Sequence, residues 1–148
     1  MARVLITGMS GAGKSTVLAA VARRGFRTVD TDYDGWQLPQ ARWDEPRMSA
    51  LLAEHSTIAV CGTAENQSRF YDRFEHVIYL FVPLDVLLDR VRARSGNPYG
   101  KTAEQQADIA KYVGEVEPLI RSTTTLELDG LMPVQALAER VAQCLMSP

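Results

Sequence analysis

Gly8-Met9-Ser10-Gly11-Ala12-Gly13-Lys14-Ser15 reads G-x-x-x-x-G-K-S, the spacing of a phosphate-binding loop. The apolar run Val4-Leu5-Ile6 precedes it, and an amphipathic stretch over 14–24 follows. That strand, loop and helix context makes the pattern specific. Glycines at 8, 11 and 13 let the backbone bend with no Cβ in the way, so successive N–H groups can converge on one phosphate. The helix opening at Lys14 adds the partial positive charge and unpaired amides of its N-terminus. Lys14 offers a full charge to β- and γ-phosphates, and Ser15 offers a hydroxyl to Mg²⁺, which prefers oxygen ligands. The expected nucleotide contacts are Gly8, Ser10, Gly11, Ala12, Gly13, Lys14, Ser15 and Thr16.

The rest of the chain must supply a scaffold for this loop. Its 148 residues suit one domain with a real core. A hydrophobic content of 46% and a charged content of 23% are ordinary for a globular protein. The net charge of −2 leaves no basic footprint, so nucleic acid is not an expected partner. No apolar run approaches membrane-spanning length, and Met1-Ala2-Arg3 leads straight into a strand-like segment. No membrane anchor or leader is therefore expected, and the cytoplasm is the expected location. Cys61 and Cys144 show no metal spacing or disulfide framework and read as small core residues.

Short apolar runs alternate with helical patterns, which argues for βαβ units and a parallel sheet. Strands are expected over 4–7, 28–30, 58–61, 77–82 and 126–129. Helices are expected over 14–24, 46–54, 65–73, 84–94, 103–120 and 133–145. Val77-Ile78-Tyr79-Leu80-Phe81-Val82 is apolar without alternation, as a strand covered on both faces should be. Gly114 and Pro118 predict a kink or break in the fifth helix. Right-handed crossovers give a three-layer α/β/α sandwich, with ligands at the carboxyl ends of its strands.

Asp30-Thr31-Asp32-Tyr33-Asp34 ends the second strand and so shares that edge. Three carboxylates in five residues repel one another unless a metal or a substrate hydroxyl lies beside them. One can hold a metal-bound water while another accepts an acceptor's proton. A solvated turn is the competing reading.

Loop and Asp-Thr-Asp together resemble the small P-loop kinases, the group of shikimate kinase, gluconate kinase and the nucleoside monophosphate kinases. The resemblance implies a P-loop NTPase kinase fold with a five-stranded parallel sheet of order 2-3-1-4-5, one domain spanning 1–148. It implies transfer of the γ-phosphoryl of ATP, or another nucleoside triphosphate, with Mg²⁺, to a small hydroxyl or phosphate acceptor. The expected partners are the nucleotide and that small molecule, and the protein is a monomer or homodimer. Carried over residue by residue, Asp30 joins Ser15 on the metal side. Asp32 faces the acceptor as base, with Asp34 as its alternative. Two other functions stay open: a nucleoside monophosphate kinase, and a nucleotide-binding module or regulatory NTPase with no dedicated acceptor.

Arg90 and Arg94 lie four apart on the face flanking the apolar stripe of the fourth helix, before a Gly/Asn/Pro run. Charge developing on a transferring phosphoryl group is stabilised by guanidinium groups. By resemblance, Arg90 and Arg94 are catalytic or nucleotide contacts, and residues 95–101 form a short lid carrying Lys101 toward the substrate. Arg92 is assigned to a solvated helix end. Gly62 permits close backbone approach, and Thr63 and Asn66 offer neutral hydrogen bonds to the acceptor. The competing reading makes Thr63 a helix N-cap with Asn66 solvated. Trp36 and Trp43 either stack on the acceptor or, as preferred here, anchor a long connection. Shikimate kinases carry an arginine and a tyrosine on the fifth helix. Here Val113-Gly114-Glu115-Val116-Glu117-Pro118-Leu119 is acidic, which argues against shikimate itself.

Overall fold

The three central strands of the sheet carry apolar residues on both faces, and this dictates the layering. In the computed structural model, which describes residues 1–94 and 99–147, the main strands are β1 (Arg3–Thr7), β2 (Thr28–Asp30), β5 (Ile58–Cys61), β6 (His76–Phe81) and β7 (Leu126–Asp129). Two further strands, β3 (Gln37–Leu38) and β4 (Arg42–Trp43), pair as a small antiparallel hairpin. The large sheet is parallel with order β2-β5-β1-β6-β7. With the hairpin set aside, this is the expected order 2-3-1-4-5.

Successive side chains of a strand point to opposite faces, and the core divides accordingly. Val4, Ile6, Ala59, Cys61, Ile78 and Leu80 join one apolar cluster, against α1 (Lys14–Ala22) and α5 (Val134–Met146). Leu5, Ile58, Val60 and Val77 join the other, with Trp43, Phe70 and residues of α2 (Glu45–Glu54). Trp36 is 8% exposed and Trp43 1% exposed, so both indoles anchor the connection after β2 instead of facing an acceptor. Trp43 packs on Phe70 with ring centroids 6.0 Å apart, and the Arg47 guanidinium lies 3.8 Å above the Trp36 ring.

Two helical expectations change. The segment over 65–73 is a 3₁₀-helix, Gln67–Arg73, entered by two inward-turned side-chain amides: Asn66 accepts from the hairpin backbone at Trp43, and Gln67 accepts from the backbone N–H of Ala64. The fifth helix, α4 (Ala103–Arg121), does not break but runs through Gly114 and Pro118. Side chains hold its last turns to the sheet. The buried Tyr79 hydroxyl donates to Glu117 at 2.5 Å, and Arg121 pairs with Glu127 at 2.6 Å. Burial and the Glu117 carboxylate push the Tyr79 pKa far above the ordinary phenol value, so it stays a donor. Among the described residues, no helix is long and apolar enough to cross a membrane.

Candidate active site

Parallel register brings the loop and the acidic run to one edge. Ile6 lies opposite Cys61, and Asp30 lies opposite Cys61 from the other side. The chain leaves β1 through the phosphate loop and enters α1, whose N-cap Gly13 is left-handed with φ 97° and provides no side-chain cap. By contrast, Asp44 caps α2 and Thr102 caps α4. The amides of the first turn of α1 are thus left for a ligand.

Lys14 Nζ curls back to donate to the carbonyls of Gly8 and Met9, at 2.8 and 3.0 Å. Burial lowers its pKa below the ordinary lysine value, and the carboxylates of Asp32 and Asp30 partly counter that. Ser15 Oγ donates to Asp30 Oδ2 at 2.6 Å, and the other oxygen of Asp30 accepts from the backbone N–H of Asp32 at 3.0 Å. That bond from the Asp32 N–H to the Asp30 side chain fixes the turn that follows β2. A hollow of about 220 Å³ then holds Lys14 and Asp32 together with Gly8, Ser10, Thr63 and Tyr112.

A hydroxyl and a carboxylate this close offer two oxygens to a hard cation. Among the described residues no cluster of three or more His, Cys, Asp or Glu could hold a metal alone. That donor set fits Mg²⁺, which keeps waters and phosphate oxygens in its shell and uses one or two protein ligands. Cys61 is no nucleophile here: burial, and secondarily Asp30, push its thiol pKa far up.

On the far side of the loop, Arg90 Nη1 donates to the Gly11 carbonyl at 2.8 Å. Arg90 also lines a hollow of about 370 Å³ with Gly13, Thr16, Gly130, Leu131 and Met132. Arg94, at the end of α3 (Leu84–Ala93), lines another hollow with Ser10, Asp108 and Tyr112, and its Nε is buried with no partner among the described residues.

Comparisons with known proteins fit this geometry. Residues 4–111, more than half of the chain, match the family model described as an AAA domain. The uncharacterized protein YqaC of Bacillus subtilis is 35% identical over 72% of this chain, and the match spans 63% of YqaC, just under two thirds. The shikimate kinase of Aromatoleum aromaticum is 31% identical, over 86% of this chain and 84% of its own. The chain belongs to the AAA-domain family and to the small P-loop kinases. The structure of shikimate kinase from Acinetobacter baumannii in complex with shikimate superimposes with TM-score 0.72 at 18% identity, covering 99% of this chain and 93% of the other; that likeness concerns the fold.

Within this P-loop domain, several expected acceptor contacts are otherwise engaged. Asn66 is 3% exposed; its amide bonds the Trp43 backbone at 2.9 and 3.1 Å and Glu45 at 2.9 Å. It is neither an acceptor contact nor solvated, but a clip between the hairpin and the 3₁₀ segment. Lys101 does not face the substrate: its Nζ donates to the carbonyls of Val91, Arg92 and Arg94 and closes the C-terminus of α3. Arg92 pairs at the surface with Asp89 and Gln106. The expected lid over 95–101 falls mainly on 95–98, outside the described residues. Asp34 lines a separate hollow at the β2 edge with Arg27, Trp36 and Arg47, which contains no loop residue.

Gly62 is required, but by packing. Its φ is +151°, and an added Cβ would meet Thr31 Oγ1 at 1.9 Å, while that hydroxyl donates to the Cys61 carbonyl. The close approach is made by Thr31, not by a ligand. Gly62→Ala is expected to lower the unfolding free energy by about 1–3 kcal/mol, read as a shift of the urea midpoint; an unshifted midpoint contradicts this packing account. Thr63 is no helix cap: its Oγ1 donates to the Gly8 carbonyl at 2.6 Å and ties the end of β5 to the loop.

Sequence reasoning passed over Tyr112 and Tyr71. Tyr112 borders three of the hollows at this edge, and Tyr71 takes a hydrogen bond from the buried Gln67 at 2.7 Å. The signal for Tyr112 was the stripe 112, 116, 119, 120 along α4, at helical spacing.

Proposed function

We propose that the protein is an ATP-dependent kinase that moves the γ-phosphoryl group of Mg-nucleotide to a hydroxyl of a small molecule. The observation that carries this reading is the meeting of Lys14 and Asp32 in one hollow, beside Ser15 and Asp30 in contact at 2.6 Å. The membership of the chain in the small P-loop kinases supports it.

The loop amides and Lys14 hold the β- and γ-phosphates. Ser15 and Asp30 would hold Mg²⁺, which would neutralise phosphate oxygens. Gly130, Leu131 and Met132 receive the base, with Arg90 beside the loop. Asp32 orients the acceptor hydroxyl and takes its proton. The acceptor oxygen forms the new bond to phosphorus as the bond from the γ-phosphorus to the β,γ-bridging oxygen breaks, and ADP leaves with that electron pair. Arg90 and Arg94 offset charge on the transferring group.

The test is the fate of the phosphoryl group. Incubation with ATP, Mg²⁺ and a mixture of small metabolites, followed by mass spectrometry, is expected to yield ADP together with a new organic phosphate. Free phosphate as the sole product refutes the kinase reading in favour of a plain NTPase. A nucleoside diphosphate formed from its monophosphate assigns the acceptor to that class instead.

A further inference from the structure

The walls around Asp32 narrow the chemical class of the acceptor. Thr63 and Tyr112, which border the hollow holding Lys14 and Asp32, also border a larger one of about 620 Å³. Tyr71, Val116, Leu119 and Ile120 give this larger hollow an apolar wall, and Gln67 and Ser68 add neutral polar groups. Among the described residues no lysine or arginine lines it, and the charged side chain in its lining is Glu65.

Basic side chains on the bordering elements are held elsewhere. Arg42 and Arg69 pair with Glu45, each at 3.3 Å. Arg73 donates to Ser49, and Arg121 pairs with Glu117 and Glu127. Lys111 precedes Tyr112 by one position, about 100° around the helix, and is not in the lining. Lys14 is engaged by the nucleotide phosphates. A carboxylate or phosphomonoester entering this hollow would shed its water and find no cation in return.

We propose that the acceptor is a hydroxyl compound with an apolar or ring-shaped body and no carboxylate or phosphate group. Its body lies along Tyr71 and Tyr112 and its reacting hydroxyl lies at Asp32. The proposal rests on the kinase reading. The hydroxyl oxygen bonds to the γ-phosphorus as the β,γ-bridging oxygen departs with ADP, and the proton passes to Asp32. The edge hollow of Arg27 and Arg47 does contain cations, but it shares no lining residue with the hollow of Lys14 and Asp32, and Arg47 already donates to the Asp34 carbonyl at 2.6 Å.

A cell metabolite extract is passed over an anion-exchange resin, and each fraction is incubated with the protein and ATP labelled at its γ-phosphorus. Label is expected in an organic phosphate made from the flow-through and not from the retained fraction. Tyr112→Ala, at a position 55% exposed and so tolerant of truncation, is expected to raise the KM for that acceptor at least fivefold and leave the KM for ATP within twofold. Labelled product from the retained fraction overturns the acceptor class while the kinase reading stands. No labelled organic product from either fraction overturns both. An unchanged acceptor KM in Tyr112→Ala overturns the placement in this hollow.

Discussion

Lys14→Ala lowers phosphoryl transfer by on the order of 10³-fold or more, the scale on which a fixed charge stabiliser acts at a reacting phosphate. The ammonium is half-buried among loop carbonyls at 2.8 and 3.0 Å, with the charges of Asp32 and Asp30 nearby. A charge held among its stabilisers has low reorganisation cost when a triphosphate arrives. Single-turnover kinetics measure the rate, and calorimetry with Mg-ATP measures the accompanying loss of affinity. The fold should persist, because the side chain bonds only to the loop. Its lowered pKa also has a sign in stability. The unfolded lysine holds its proton up to the ordinary value of 10.5, and the folded one releases it sooner. Folding is therefore penalised at neutral pH by this group and relieved as pH rises toward 10.5. A variant with undiminished transfer would remove Lys14 from the mechanism.

Asp32→Asn is expected to lower kcat by about 10²–10⁴-fold, the range for loss of a positioned general base, while Mg-ATP affinity stays near that of the parent. The separation follows from the geometry. Asp30, not Asp32, contacts Ser15, and the Asp30–Asp32 hydrogen bond uses the Asp32 backbone N–H, which the substitution keeps. Asp34→Asn serves as the control. Asp34 has a left-handed φ of 62°, which asparagine tolerates, and it lines the edge hollow. Equal losses in the two variants, or a loss confined to Asp34→Asn, would reassign the base.

Much of the fold and part of this site were legible because they are local. The phosphate loop is eight consecutive residues whose glycines, lysine and serine each answer to one need of a bound phosphate. Asp30 and Asp32 were legible for a related reason: both lie at the end of a strand, and the strand ends of a parallel α/β sheet share one edge. Asn66, Lys101 and Gly62 were misjudged because each is a polar or small residue at that edge whose partners lie far along the chain. Asn66 bonds Trp43, and Thr31 fills the space at Gly62. A polar side chain near a ligand edge and one that clips two loops look the same in a linear sequence.

What the sequence determined by itself is the alternation that makes a parallel sheet, the phosphate loop and the place of Asp30 and Asp32 at a strand end. Backbone periodicity and short-range spacing control those features, whereas the strand order was implied by the resemblance to the small P-loop kinases, and burial decided that both tryptophans are anchors. Tertiary structure alone decided which carboxylate shares a hollow with Lys14, and that α4 passes Pro118 unbroken under the hold of Tyr79 and Glu127 on its last turns. It also decided that the hollow sharing Thr63 and Tyr112 with that of Asp32 is lined by tyrosine, aliphatic, neutral polar and one acidic side chain, with no lysine or arginine among the described residues. The physical reason is the same in each case: hydrogen bonds and ion pairs between distant segments determine which side chains remain available, and sequence spacing carries no record of them.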